Sequence, residues 1–223
     1  MNVKRRKPRL VLLGKQGAGK GTQADLLAAQ YTITRISTGD MFREMAAQGT
    51  AFGLEAKRYM DAGELVPDEI VMGVIEECLV PGGPLSDGFV LDGFPRTLHQ
   101  AGELDRVLGN NPLDLAIDLE VPREIVLDRI AGRRVCDDCQ RVYHVNLPPT
   151  VPWVCDTCGG RVTQRDDDTE EAVERRLELF ETETVPIIDY YRRRGQLAHV
   201  DGVGEGDDVF ERLVKTIDDR IHP

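Results

Sequence analysis

The chain has 223 residues, of which 41% are hydrophobic and 30% are charged. This length and composition predict a soluble globular domain that can hold a smaller inserted one. No apolar run approaches the roughly 20 residues that cross a bilayer, and no signal peptide is recognisable, so we predict a cytoplasmic protein with no membrane partner. The net charge of -11 argues against nucleic acid as a partner, because affinity for it depends on neutralised phosphates.

The first predicted strand, residues 9–13, ends in a glycine-rich turn, and a helix follows over 19–30. Backbone N–H groups of such a turn point at one spot, where the positive end of the helix and Lys20 attract a polyanion. Gly14, Gly19 and Lys20 satisfy the P-loop spacing, although Gly21 and then Thr22 stand where a hydroxyl should follow the lysine directly. We predict that nucleotide phosphates bind to Gly17, Ala18, Gly19, Lys20, Gly21 and Thr22.

Residues 1–8 precede this strand, and their basic cluster predicts a flexible, solvated tail rather than a targeting address or a nucleic-acid arm. After the first helix we predict a strand over 34–37 and a helix that Asp40 caps, beginning with Met41 and carrying Arg43. Further helices cover 51–62 and 68–79, the second ending at a proline and glycine turn over 81–84.

Cys78 lies in an apolar pattern and is interpreted as a core residue rather than a reactive thiol.

The third predicted strand, residues 88–92, ends in a carboxylate. Asp92 stands where P-loop folds hold magnesium beside the phosphates, so we predict a Mg²⁺ site there; the alternative is an aspartate that only caps the next turn. A helix over 97–108, a strand over 113–121 and a helix opened by Pro122 and continuing to Ile130 follow.

Residues 132–168 lose regular periodicity, and we interpret them as an insertion. Cys136, Cys139, Cys155 and Cys158 form two CxxC pairs there, with 15 residues between the pairs. Four thiolates can close a tetrahedron around zinc that leaves no open position for chemistry, which predicts a structural site. The alternatives are chance cysteines or a redox pair, and with four thiolates present we do not expect His144 to be a ligand.

A long helix, a fifth strand over 197–200 and a closing helix over 208–221 complete the chain. Asp168 and Glu171 form a capping pattern for the long helix, and Pro186 predicts a kink inside it. Strands separated by helices predict an α/β fold, a three-layer P-loop architecture with a five-stranded parallel sheet and ligands at the carboxyl ends of its strands. No helix shows two apolar faces, so we predict a monomer. The apolar line of the long helix is Val173, Leu177, Phe180, Ile187 and Tyr191.

Several motifs of the chain resemble those of the adenylate kinases, in the nucleoside monophosphate kinase family. They are the glycine loop over 14–22, the segment 36–41 with Arg43, and the segment 91–96, which reads Leu-Asp-Gly-Phe-Pro-Arg. The resemblance covers the chain from about residue 9 onward. It departs at Lys15 and Gln16, because the family more often has a proline before the second loop glycine.

The resemblance implies reversible transfer of the γ-phosphoryl group from Mg-ATP to AMP, giving two ADP, in adenine nucleotide homeostasis. It further implies a kinase domain over 9–223, with a helical AMP-binding segment over 37–66 and a small zinc-bearing lid over 132–168. Residues implied for catalysis are Lys20, Asp92, Arg96, Arg133, Arg165 and Arg176. Besides the glycine loop, residues implied for ATP are Arg129, Arg133, Val142, Tyr143 and His199. Residues implied for AMP are Thr38, Arg43, Glu64, Leu65, Val66, Gly93, Phe94, Pro95, Arg96, Gln100, Arg165 and Arg176.

Two other functions are considered. A kinase for UMP, CMP or another monophosphate would share the chemistry, but members selecting uracil or cytosine generally differ at the positions of Thr38 and Gln100, so these two residues favour AMP. A nucleotide switch or nucleic-acid-binding ATPase with a zinc ribbon is the more remote alternative. The acidic charge opposes it, as does the lack of aromatic residues interleaved with basic ones around the cysteines.

Overall fold

The computed structural model describes residues 6–79 and 87–221, and the turn expected at 81–84 lies outside them. Within these ranges the chain alternates between strands and helices through most of its length. The strands are β1 (Arg9–Leu13), β2 (Thr34–Ser37), β3 (Phe89–Asp92), β4 (Leu115–Glu120), β5 (Arg133–Cys136), β6 (Val142–His144), β7 (Val162–Thr163) and β8 (Leu197–Asp201). The helices are α1 (Lys20–Tyr31), α2 (Thr38–Ala47), α3 (Ala51–Asp61), α4 (Asp68–Leu79), α5 (Leu98–Leu108), α6 (Arg123–Ala131), α7 (Glu170–Leu179), α8 (Val185–Arg193) and α9 (Gly206–Ile221).

Five of the strands form one parallel sheet in the order β2-β3-β1-β4-β8. Side chains of the central strand alternate between two buried clusters: Leu10 and Leu12 face one side, whereas Val11 and Leu13 face the other. Helices α1, α6, α7 and α9 contribute buried residues to the first cluster, and α2, α3, α4, α5 and α8 to the second. The predicted three-layer α/β fold with a five-stranded parallel sheet is therefore confirmed.

The insertion forms a separate antiparallel sheet of three short strands, in the order β6-β5-β7. It follows α6 directly and returns the chain to α7. Its buried cluster consists of Cys136, Tyr143, Cys155 and Val162. A cluster of this size buries little apolar surface, so the insertion depends on something other than a hydrophobic core for its stability.

Two predicted helix caps are wrong, because both aspartates turn their side chains to arginines instead. Helix α2 begins at Thr38 and is capped by Ser37, whose Oγ accepts a hydrogen bond from the backbone N of Asp40 at 3.3 Å. Helix α7 is capped by Thr169, whose Oγ1 accepts from the backbone N of Ala172 at 3.2 Å. Sequence patterns at helix starts identify several possible capping residues. Here the aspartate side chains form ion pairs with arginines, and a neighbouring serine or threonine caps each helix.

The predicted kink near Pro186 takes the form of a π-helical turn over Phe180–Thr184, between α7 and α8. Pro186 lies in the first turn of α8, where its ring and missing N–H disturb the hydrogen bonding of the preceding turn. Of the predicted apolar line, Phe180 is only partly buried.

The predicted tail is too long at its carboxyl end. The carbonyl of Pro8 accepts a hydrogen bond from the backbone N of Phe89 at 3.0 Å, and Lys7 Nζ lies 2.7 Å from Asp87 Oδ2. Arg6 pairs with Asp114 as well. Residues 6–8 are thus joined to the domain. In the described ranges no helix combines the length and apolarity needed to cross a membrane.

Candidate active site

The glycine loop between β1 and α1 requires glycine on steric grounds. Gly14 has φ +135°, and a Cβ there would lie 2.7 Å from the carbonyl oxygen of Leu119. Gly17 has φ +80°, and its Cβ would lie 2.7 Å from Ile130 Cγ1. Larger residues would push the loop away from β4 and α6, so these glycines keep the backbone N–H groups converging at the start of α1.

Lys20 closes the loop on itself. Its Nζ donates to the carbonyl oxygens of Gly14 and Lys15, each at 2.8 Å. Burial lowers the pKa of Lys20 to about 8, with Asp92 opposing the shift and Arg96 and Arg133 adding to it. A buried ammonium group surrounded by other cations favours an anionic ligand, because a phosphate would restore the charge balance.

A single cleft of about 850 Å³ runs from the glycine loop past the ends of the sheet strands. This volume lies in the upper part of the range for small-molecule sites, about 300 to 1,000 Å³. The structure brings most sequence-predicted residues to it: Gly17, Ala18, Gly19, Lys20, Gly21, Thr22, Thr38, Arg43, Glu64, Leu65, Val66, Asp92, Gly93, Pro95, Arg96, Gln100, Arg129, Arg133, Val142, Tyr143, Arg165 and Arg176.

Two predicted residues do not line the cleft. Phe94 is 1% exposed and packs into the hydrophobic core beside the sheet. His199 projects from β8 toward β4, where its Nδ1 lies 2.9 Å from Glu120 Oε1 and 3.3 Å from Asp118 Oδ2. The His199 side chain therefore does not line the cleft, whereas the loop after β8 reaches it through Gly202 and Gly204. A backbone contact of His199 with ATP stays a prediction.

Arg129 joins that loop to the glycine loop. It donates to the carbonyl oxygens of Ala18 at 3.2 Å and Gly202 at 3.1 Å. These contacts place a flat guanidinium group at the end of the cleft beyond the glycine loop. Val142 and Tyr143, on β6 of the insertion, face the cleft as well. Gly202 follows the fifth predicted strand, at the sheet edge where ligands were expected, whereas no sequence motif pointed to Gly204.

The opposite part of the cleft is built around Arg96. Its Nε donates to the carbonyl of Gly93 at 2.8 Å, and its backbone N donates to Gln100 Oε1 at 2.7 Å. Gln100 is 2% exposed and also donates to Asp68 Oδ1 at 2.6 Å, so it is no surface amide. Burial, and then the neighbouring Arg176, lower the pKa of Arg96 to about 10. Thr38 Oγ1 donates to Gly93 at 3.0 Å on the same wall.

Two aspartates hold the remaining cations of this region. Arg176 Nη2 lies 2.5 Å from Asp167 Oδ2, and Arg43 Nη2 lies 2.5 Å from Asp40 Oδ1. Arg165 Nη2 approaches Asp40 Oδ1 at 3.6 Å. Burial acts to raise the pKa of Asp40, but Arg43, Arg35 and Arg165 outweigh it and hold the value at about 2.

The same crowding acts on the cations themselves. Burial, followed by repulsion from Arg43 and Arg133, lowers the pKa of Arg165 to about 10. Several guanidinium groups therefore face one cavity with only part of their charge neutralised by protein carboxylates. Such an arrangement can bind phosphate oxygens of more than one group.

Arg133 is held by a residue that the sequence assigned only as a helix cap. Its Nε donates to Asp168 Oδ2 at 2.8 Å, and its Nη2 pairs with the other carboxylate oxygen. Gln16 of the glycine loop donates to Asp168 Oδ1 at 3.2 Å, and the carboxylate is fully buried. Asp168 therefore links the glycine loop to the first strand of the insertion.

The carboxylates beside the glycine loop suit a hard divalent cation. Asp92 and Asp40 both line the cleft, and a Cβ on Gly21 would lie 3.3 Å from Asp92 Oδ2. Oxygen ligands of this kind, with water completing the shell, are those that Mg²⁺ prefers. Sequence analysis missed Arg35 and Asp25, which also line this part of the cleft.

The four cysteines of the insertion converge. Their Sγ atoms lie within 4.8 Å of one another, and the pairs Cys136–Cys158 and Cys139–Cys155 are each 3.5 Å apart. A tetrahedron with Zn–S bonds of about 2.3 Å has edges of about 3.8 Å, so the donors fit zinc, and a disulfide at about 2.05 Å is excluded. His144 lies outside this group and lines the cleft instead.

Comparison with known proteins gives a consistent result. A family model described as adenylate kinase matches residues 12–196. The chain is similar to the adenylate kinase of Acidothermus cellulolyticus, with 50% identity over 212 residues, covering 94% of this chain and 97% of the relative. It is similar to that of Thermodesulfovibrio yellowstonii at 49% over 208 residues, covering 92% and 96%. For a Clostridium perfringens adenylate kinase the identity is 47% over 212 residues, covering 94% and 98%.

Proposed function

The chain belongs to the adenylate kinase family and transfers a phosphoryl group between ATP and AMP, and from this premise we propose how the residues of the cleft divide the reaction. The observation that supports the division is the continuity of the cleft. One wall carries the glycine loop with Lys20, and the other carries Arg96, Thr38 and Gln100. Two nucleotides bound from the two ends would meet with their phosphates between them.

ATP occupies the end formed by the glycine loop. Backbone N–H groups and Lys20 bind its phosphates, which replace the carbonyl contacts that Lys20 makes in the ligand-free protein. The base lies beside Arg129, which is fixed between the glycine loop and the loop after β8. Val142 and Tyr143 cover it from the insertion.

AMP occupies the other end. Arg43 and Arg96 bind its phosphate, and Thr38 and Gln100 recognise adenine against the lining of Glu64, Leu65 and Val66. Gln100 has its carbonyl oxygen committed to Arg96 and one N–H to Asp68, so its orientation is fixed before the base arrives. A preorganised amide discriminates between bases because a wrong base leaves a buried polar group unpaired.

Catalysis is positioning and charge stabilisation. The attacking group is an ionised phosphate oxygen, so the reaction needs no general base. Lys20, Arg133, Arg165 and Arg176 surround the transferred phosphoryl group, whose equatorial oxygens carry the developing charge. One well-placed arginine contributes about 10³ to 10⁵ in rate in related chemistry. Asp92 and Asp40 would hold Mg²⁺, and the ion would neutralise charge on the phosphates.

Segments 37–66 and 132–168 close over the cleft as an AMP-binding segment and a lid. Closure excludes water, which would otherwise hydrolyse ATP without transfer. The lid carries a structural zinc ion on Cys136, Cys139, Cys155 and Cys158, which fixes its two turns where little apolar core is available. The protein works as a cytoplasmic monomer, with ATP, AMP and ADP as its small-molecule partners and no nucleic-acid partner.

Initial rates with ATP and a panel of nucleoside monophosphates test the function and its specificity. AMP is expected to give the highest kcat/KM, and UMP, CMP and GMP values at least about tenfold lower, because Gln100 and Thr38 are fixed for adenine. Transfer to UMP or CMP at the rate of AMP would contradict the assignment of Thr38 and Gln100. ATP turnover that does not depend on AMP would contradict the transfer reaction itself.

A further inference from the structure

Arg35 occupies the carboxylate cluster beside the glycine loop. It lies on β2, at the edge of the parallel sheet, and its side chain is 23% exposed. Its Nη2 is 2.7 Å from Asp40 Oδ2 and 3.5 Å from Asp92 Oδ2. Its Nε is 3.4 Å from Asp25 Oδ1. One guanidinium group thus contacts three carboxylates that belong to three different elements of the fold.

The position of Gly21 shows that the Arg35 guanidinium lies where a P-loop protein binds its metal ion. In the general motif the residue after the lysine is Ser or Thr, and its hydroxyl binds Mg²⁺. A Cβ built on Gly21 would lie 3.3 Å from Asp92 Oδ2 and 3.4 Å from Arg35 Nη2. The missing hydroxyl would therefore point at the same carboxylate oxygen that Arg35 approaches.

A fixed cation at this place has an electrostatic consequence. Two cations cannot both lie close to Asp40 and Asp92 without repelling each other, and the low dielectric of a partly closed cleft strengthens that repulsion. Arg35 therefore lowers the affinity of the two carboxylates for a divalent ion that arrives alone. An ion that arrives with nucleotide phosphates brings additional ligands and negative charge, and so overcomes the repulsion.

We infer that Arg35 is the resident counter-cation of the proposed magnesium site and selects for metal that enters together with the nucleotide. Without metal it pairs with Asp92 and shares Asp40 with Arg43 and Arg165. When metal is bound, its guanidinium remains paired with Asp25, which is 66% exposed and free to follow it. Arg35 is a positioning residue, since it acts on the two carboxylates that hold the metal. This inference rests on the magnesium site proposed above.

The test measures binding of Mn²⁺ alone to the full-length, nucleotide-free protein by electron paramagnetic resonance of the free ion. Arg35→Gln removes the charge while keeping hydrogen-bonding capacity, and we expect the Kd for Mn²⁺ to fall about tenfold. Arg35→Lys keeps the charge on a group that cannot contact three carboxylates together, and we expect a smaller change in the same direction. Arg106→Gln is the matched control, because Arg106 pairs with Glu103 on α5 and Glu76 on α4, does not line the cleft, and should leave the Kd unchanged.

Thermal unfolding supplies a second readout that does not require activity. In the presence of chelator, Arg35→Gln should melt below the wild type, because three carboxylates lose their shared partner. Added Mn²⁺ should raise its melting temperature by more than that of the wild type. A general loss of packing would lower both melting temperatures without this larger metal response.

Two results would overturn the inference in distinguishable ways. An unchanged or weaker Mn²⁺ affinity in Arg35→Gln, with wild-type binding abolished by Asp92→Asn, would remove the role of Arg35 and keep the magnesium site. Wild-type Mn²⁺ binding that Asp92→Asn leaves unaltered would remove the site itself, and the inference with it.

Discussion

The parallel-sheet core and the inserted lid differ in how much apolar surface they bury. The core places two apolar clusters on the two faces of one sheet, and side chains such as Phe89, Leu91 and Leu12 are almost completely buried there. In the lid the buried cluster has four members, two of them cysteines, while Leu147 and Trp153 are 71% and 61% exposed. Apolar burial stabilises the core, and we propose that a metal ion on the four thiols stabilises the lid.

The difference also separates the two tasks of the site. The rigid core fixes the phosphate loop and Arg96, where small displacements would cost rate. Arg133 and Tyr143 reach the same cleft from the insertion, which has a small buried cluster of its own. We propose that this segment opens and closes in each turnover, and a buried cluster separate from the sheet suits such a movement.

The largest expected effect concerns the core. Lys20→Ala should lower kcat/KM for ATP by about 10³-fold or more, because the buried ammonium group is the cation nearest the glycine loop. Far-UV circular dichroism should stay unchanged. Lys215→Ala, at an exposed position of α9, is the matched control and should keep full activity. Retained activity in Lys20→Ala would exclude this lysine from the reaction.

The next effect concerns the lid. Cys155→Ser should remove a zinc ligand, expose the lid to proteolysis and lower activity, while the main unfolding transition of the core shifts little. Cys78→Ser is the matched core variant: burial raises the pKa of Cys78, which is a core thiol, and its replacement should shift the main transition without exposing the lid. Elemental analysis of protein purified without chelator should find zinc.

If no zinc is found, or if both cysteine variants change the same transition, the lid is stabilised by something other than metal. The difference in stability between the core and the lid would then depend on side-chain packing alone.

A smaller effect should appear where core and lid meet. Asp168→Asn removes the charge that binds Arg133 and accepts from Gln16, and breaking such a buried pair costs about 3–5 kcal/mol of stability. The melting temperature and kcat should both fall. Asp166→Asn is the control two residues away, because the Asp166 side chain is 89% exposed. Equal effects of the two substitutions would contradict the role of the buried carboxylate.

The smallest effect is a pH dependence. The pKa of Lys20 is lowered to about 8 by burial, so in the free enzyme it is charged below pH 8 and loses its proton above it. Since ATP phosphates bind the charged form, kcat/KM for ATP should be level below about pH 8 and fall above it, approaching tenfold per pH unit. Rates measured from pH 6.5 to 9.5 check this. A level profile through pH 9.5 would show that Lys20 stays charged in the free enzyme.

The sequence predicted most of the local features. The glycine loop, the paired cysteines and the alternation of strands with helices all follow from spacing over a few residues, and each has a direct physical cause. His199 shows the limit: the family resemblance implied a place beside ATP, and the structure pairs its side chain with carboxylates on the neighbouring strand. Which way a strand residue points at the sheet edge depends on register with another strand.

What the sequence determined by itself was therefore the fold class, the phosphate loop and the zinc-type cysteine cluster, while the family resemblance supplied the set of arginines. Only the tertiary structure decided which charged side chains form ion pairs: Asp168 with Arg133, Asp167 with Arg176, and Arg35 with Asp40 and Asp92. Two of these pairs, Asp168 with Arg133 and Arg35 with Asp92, join residues far apart along the chain, and ion pairing has no sequence period. Only the folding of the backbone brings the partners together. The ion-pair partners could therefore be identified from the three-dimensional structure but not from the sequence.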